Sequence, residues 1–320
     1  MENPELKRES GVLEVKGGTE AEKAQALGQF ESKFNQQEVK KFEREKTPEE
    51  LKFIKDVNEK MKEFVEQYGG TFLEIKPENI HIIDFTKSKQ LTYYGIFRPS
   101  AQEIVLTLTP DIPKLMVANL LVHEMIHFNS FQSVIFEKSD DEQRIKNRRV
   151  GVDVSMYKDG EIVDSMFRDL NEAVTEELAK RFDWSFFESI QYTETDTQKR
   201  NSIIEDIKSK SGDPEDAEEI AYYTSFQTNE GKWQTNLNRR TYLMERLYLK
   251  ELVSGIFDKN PGKFKNKEEV FGLFARAALS GDLKELTDII EATFGQGAFK
   301  RIGQKTRYDK SKNKSWDDII

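Results

Sequence analysis

Two histidines and a glutamate carry the first chemistry in this chain, in Val122-His123-Glu124-Met125-Ile126-His127. They sit in an apolar run from Leu115 to Phe128 that holds no other charged residue. On a helix, residues four apart lie one turn above each other, so His123 and His127 aim two imidazole nitrogens at one tetrahedral ion. Glu124 borders the same ion, where it can take a proton from a water that the metal acidifies.

A catalytic zinc takes three protein ligands, so two imidazoles leave it one short. The chain has no cysteine and only one further histidine, His81. A carboxylate is therefore the favoured third ligand. His81 lies between Ile80 and Ile82 on a predicted strand, faces away from them, and reads as a solvated or hydrogen-bonded strand residue outside the site. A helix predicted from Leu170 to Phe182 contains Asn171-Glu172-Ala173-Val174-Thr175-Glu176. Glu172 and Glu176 share a face, so one can reach an ion while the other accepts the remaining ring N–H of a ligand histidine.

His123-Glu124-x-x-His127 followed by Asn171-Glu172-x-x-Thr175-Glu176 resembles the gluzincin metallopeptidases, the small bacterial members in particular. The resemblance implies an α+β, zincin-like fold. Its parts are a small mixed sheet, an active-site helix and a glutamate helix, followed by a mainly helical C-terminal lobe. It makes His123, His127 and Glu172 the ligands of one Zn2+ per chain and Glu124 the general base. Glu176, where many members have aspartate, becomes the partner of a ligand imidazole, with Asn171 beside it. The spacer 128–171 is longer than in the larger secreted gluzincins and fits an inserted hairpin.

Gluzincins also need a donor for the oxyanion that forms when water attacks the peptide carbonyl. Many use a histidine or tyrosine from the later lobe, and no histidine follows Glu172. Tyr242, in Arg239-Arg240-Thr241-Tyr242-Leu243 at the start of a predicted helix, is the first candidate. Tyr222 and Tyr223 compete with it, and each of the three also reads as an ordinary core or surface tyrosine.

Four regions must hold these residues. Residues 1–46, rich in Glu, Lys and Gln, read as a flexible charged arm with one short helix around 21–34. Residues 47–190 form the catalytic core. Its first helix starts with a capping box at Thr47-Pro48-Glu49-Glu50, turns Leu51, Ile54, Val57, Met61 and Val65 inward, and ends at Gly69-Gly70. Strands are predicted at 72–75, 80–85, 91–97 and 103–108, the last serving as an edge along which an extended peptide lies. A polar segment, irregular or partly helical, is expected at 131–149, then a hairpin over 150–167 with its turn at Asp159-Gly160. Residues 191–303 form the helical lobe, with an apolar helix face at 220–226, a loop at 227–238, and helices at 242–257, 267–279 and 283–294. Ser280-Gly281-Asp282 serves there as stop and N-cap together, and Leu273, Phe274 and Leu279 face the core. Residues 304–320 form a basic tail.

With 320 residues, 37% of them hydrophobic, the chain can bury one large core or two smaller ones. A net charge of −9 excludes general nucleic-acid binding, and the basic tail reads as solvated. Residues 1–46 lack an apolar leader segment and no run reaches membrane-spanning length, so a cytoplasmic protein is expected, with no membrane partner. The expected function is zinc-dependent hydrolysis of a peptide or protein substrate. The alternative is a non-catalytic zincin-fold binding protein that keeps a structural zinc.

Overall fold

The computed structural model describes residues 14–16, 19, 41–85, 94–99, 101–109, 112–139, 142–158, 161–211, 217–227 and 233–304. The predicted helix at 21–34 and the tail from residue 305 lie outside them, as do the turn Asp159-Gly160 and residues 91–93.

Helix α1 spans Pro48–Gln67, and the capping box at its start is complete. Thr47 Oγ1 accepts from the Glu50 amide at 3.2 Å, while the Glu50 carboxylate accepts from the Thr47 amide at 2.8 Å. Such a reciprocal cap satisfies two orphan donors of the first turn. The helix buries Phe53, Ile54, Val57, Met61, Phe64 and Val65. Leu51, predicted to face inward, is 41% exposed, because Phe53 and Phe64 turn the buried stripe away from it.

Residues 72–75 are not a strand. Asn58 of α1 binds both the amide and the carbonyl of Ile75, and Asn129 accepts from the Leu73 amide. Asparagine side chains thus meet the main-chain groups that a ladder would have used. Ahead of α1, the Arg44 amide donates to the Ile82 carbonyl at 2.9 Å, which lays residues 43–44 against the first sheet.

That sheet holds β2 (Ile80–Asp84), β3 (Gly95–Arg98) and β4 (Glu103–Leu108), in the order β2-β4-β3. β4 runs parallel to β2 and antiparallel to β3. It is the central strand and is buried throughout, so it has no free edge for a peptide. The edge beside the site is β3.

Helix α2 (Lys114–Asn129) is apolar nearly all round and accordingly buried. Behind it comes a five-stranded sheet in the order β1-β5-β6-β7-β8. Its strands are β1 (Glu14–Lys16), β5 (Gln132–Ser139), β6 (Glu142–Val150), β7 (Asp153–Lys158) and β8 (Glu161–Met166). The hairpin of β7 and β8 is as expected. The segment 131–149, expected to be irregular or partly helical, is instead the paired strands β5 and β6. Its charged composition hides the two-residue alternation by which a half-buried strand is read.

Helix α3 (Arg168–Phe186) follows, then α4 (Glu194–Ser211) and an antiparallel hairpin of β9 (Ile220–Gln227) and β10 (Trp233–Arg239). The helix face expected at 220–226 is thus β9, and residues 233–238 of the expected loop belong to β10. The run Ile220-Ala221-Tyr222-Tyr223-Thr224 is rich in β-branched and aromatic residues, which suit a pleated surface better than a helix. Helices α5 (Leu243–Lys259), α6 (Lys267–Ser280), α7 (Lys284–Phe294) and α8 (Ala298–Gln304) complete eight helices among the described residues. Gly281, at φ +84°, ends α6 in the left-handed region that glycine favours. Asp282 accepts from the Lys284 amide at the start of α7.

The fold is mixed α+β. One continuous set of buried side chains runs from Phe53 of α1 to Ile302 of α8 and includes Leu273, Phe274 and Leu279. Among the described residues no helix is long and apolar enough to cross a membrane.

Candidate metal centre

Helix α2 carries His123 and His127, and α3, packed against it, carries Glu172 and Glu176. Asn171 Oδ1 accepts from the Val152 amide at 2.9 Å, fixing the start of α3 to the turn between β6 and β7. Gly151 in that turn has φ +59°, and a Cβ there would collide with Asn171.

Nε2 of His123 and Nε2 of His127 are 3.2 Å apart, and each lies 3.4 Å from Oε2 of Glu172. Zinc bonds of about 2.0–2.1 Å at tetrahedral angles separate the ligand atoms by about 3.3–3.4 Å. The three donor atoms therefore have the spacing of one face of such a site, and this His-His-Glu group fits a metal ion. Oε2 of Glu176 is 2.8 Å from Nδ1 of His123. A proton on Nδ1, donated to that carboxylate, leaves the Nε2 lone pair facing the other two donors, as metal binding requires.

Charge along α3 leads to the same place. Glu172, Glu176 and Asp183 lie near one face, at i, i+4 and i+11. Asp183, fully buried, meets two cations, Arg200 at 2.5 Å and Arg240. Glu176 has Arg240 at 3.9 Å besides His123. Glu172 has imidazoles at ion-pair distance but, among the described residues, no lysine or arginine. Burial works to raise its pKa, yet His127 and His123 outweigh it and hold the carboxyl well below its usual range. For His123, burial works to lower the pKa and the bonds to Glu172 and Glu176 prevail, raising it well above the ordinary imidazole value. The His123 imidazole, facing a carboxylate, thus takes up positive charge, in a place a dication can fill.

Glu124 reaches toward β3. Its Oε2 accepts from the Phe97 amide at 2.6 Å, and a Cβ on Gly95 would lie 3.0 Å from its Oε1. Burial raises its pKa, against the pull of His123 and His127.

The segment between β10 and α5 closes the other side. The Tyr242 ring stacks on His123, with centroids 5.7 Å apart and planes at 14°. The ring is partly exposed; burial, then the charge of Glu172, raises the phenol's pKa. Thr241 Oγ1 donates to Oε2 of Glu176 at 3.2 Å. Three successive side chains thus reach one site, with Tyr242 at φ +54°, a left-handed conformation rare outside glycine. Of the competing tyrosines, Tyr223 bonds Asp196, and Tyr222 is half-buried against the core. His81 lies outside the site, with Nδ1 2.9 Å from Glu43 and Nε2 3.5 Å from Glu103. It is buried rather than solvated.

Sequence reading did not find Gly95, the Phe97 amide, Arg240 or Thr241. Arg240 and Thr241 adjoin Tyr242, which was their only signal. Asp153 was also missed: burial pushes its pKa up to about 6, with Arg168, Glu172 and His127 among the charges acting on it.

The chain was compared with known proteins at three levels. No family model, curated protein or solved structure matches it.

Proposed function

We propose that this chain is a zinc metallopeptidase of gluzincin type, with a zincin-like core, acting on a peptide or protein substrate in a cytoplasmic setting. The supporting observation is the trio of His123 Nε2, His127 Nε2 and Glu172 Oε2, mutually 3.2–3.4 Å apart, with Glu176 on the far nitrogen of His123. These three residues would hold one zinc, which when bound would supply a Lewis acid for the scissile carbonyl and for a water.

Glu124 is the general base. Its Oε2 is held by the Phe97 amide, so Oε1 takes the proton from the attacking water and passes it to the leaving amine. Its pKa, raised by burial, brings it nearer the range in which both transfers are efficient at neutral pH. The Tyr242 phenol, protonated at neutral pH as an ordinary phenol is and kept so by its upward shift, donates to the oxyanion. β3, the edge strand beside Glu124 among the described residues, takes the place of β4 as the strand an extended peptide lies along.

The test combines metal analysis with mass-spectrometric profiling of a peptide library. Wild type should bind about one zinc per chain and cleave peptides. Glu124→Gln should keep the zinc and lose cleavage, whereas Glu172→Ala should lose the metal. A wild-type chain that takes up no zinc sinks the proposal, and one that binds zinc but cleaves nothing favours a structural zinc in a binding protein.

A further inference from the structure

Arg240 makes contacts that its place in the sequence does not announce. Its side chain is fully buried. One guanidinium nitrogen donates to Asn119 Oδ1 at 2.8 Å and lies 3.9 Å from Oε1 of Glu176, and the other binds Asp183. Each neighbour is fixed in turn. Asn119 lies on α2, one turn before His123, and its amide group donates to the Leu115 carbonyl at 2.7 Å. Asp183 lies on α3, two turns beyond Glu176, and also receives Arg200 at 2.5 Å. The Arg240 amide donates to the Glu219 carbonyl at 2.8 Å. One planar cation therefore spans both helices of the metal centre, against the carboxylate that grips His123.

We infer that Arg240 is a positioning residue of the metal centre. It holds Glu176 in place against Nδ1 of His123 and thereby orients Nε2 toward His127 and Glu172. The inference rests on the metal-site reading above. Buried carboxylates that orient ligand imidazoles affect metal affinity strongly, and a fork-shaped guanidinium fixes direction where an ammonium supplies only charge. Arg200 has no contact with Glu176 but shares Asp183, so it separates a positioning role from general support of the buried cluster.

The experiment titrates zinc into the apo chain in competition with a chromogenic chelator, for wild type, Arg240→Met, Arg240→Lys and Arg200→Met, with thermal melting of each. Arg240→Met should weaken zinc binding about 10- to 100-fold. Arg200→Met should lower Tm while leaving affinity within about twofold. Arg240→Lys keeps a charge beside Asp183 and still allows the test if the methionine variant does not fold; it should lose about tenfold in affinity. In a Glu176→Ala background, Arg240→Lys should have no further effect on affinity. Wild-type affinity in a folded Arg240 variant, or an equal loss in Arg200→Met, overturns the inference while leaving the metal site itself intact. Absence of zinc binding by wild type would instead remove the reading on which it rests.

Discussion

Oε2 of Glu124 lies 2.6 Å from the amide of Phe97, so the proposed base is held by the main chain of an edge strand rather than by another side chain. Gly95, two residues earlier, leaves room for the other oxygen. Gly95→Ala should push the Glu124 carboxyl a few tenths of an ångström and reduce kcat about tenfold or more, since small displacements at a reacting centre are costly. Zinc content should stay at the wild-type value. Unchanged kcat would show that the carboxyl tolerates the methyl group.

Tyr242 stacks on His123, and its hydroxyl lies within the field of Glu172. Tyr242→Phe keeps the ring and removes the donor. Its expected effect is a fall in kcat of about a hundredfold, with KM and zinc affinity little changed. If the ring alone matters, the phenylalanine variant will match wild type in steady-state kinetics.

Asp183 stands between Arg200 and Arg240 with all three side chains fully buried. Asp183→Asn would leave two buried cations without their counter-charge. Breaking such a cluster from one side costs about 3–5 kcal/mol, which urea unfolding can read directly. A loss under about 1 kcal/mol would mean that water or another group takes over the pairing.

His81 predicts a pH dependence far from the metal. The bond to Glu103 raises its pKa most, burial lowers it, and Glu43 raises it again, for a net increase. Its stabilising contribution is therefore fully present below the unfolded value of about 6.5 and fades as pH rises through the higher folded value. For Glu43, burial raises the pKa but His81 and Lys46 lower it further, so its contribution fades as pH falls through that depressed value. The urea midpoint of wild type should exceed that of His81→Gln most near about pH 5.5–6.5 and converge toward it in alkali. A gap that stays constant up to about pH 9 would show that the pair does not carry the effect.

What the sequence disclosed follows the range of the interactions. The capping box at Thr47 and the pairs His123/His127 and Glu172/Glu176 are local, set by helical spacing, and all appear in the structure at that spacing. β5, β6 and β10 escaped notice because polar residues blur strand alternation, whereas the β-branched and aromatic run of β9 is legible as a strand rather than as the helix expected there. The strand expected at 72–75 failed because Asn58 and Asn129 supply its hydrogen bonds, a tertiary solution with no local signature. Arg240 acquires its place from Asn119 and Asp183, which are 121 and 57 residues away.

The delivery of three neighbouring side chains by residues 240–242 also has a consequence in time. His123, His127 and Glu172 all leave the ribosome before this segment is made. Translation at about 5–20 residues per second sets an interval of several seconds between Glu172 and Tyr242. During that interval the nascent chain owns every donor of its metal grip, but neither the guanidinium beside Glu176 nor the phenol over His123. Under the proposed function, synthesis would thus separate assembling the metal ligands from completing the centre, and the unfinished polypeptide would have only a weakened form of the proposed activity.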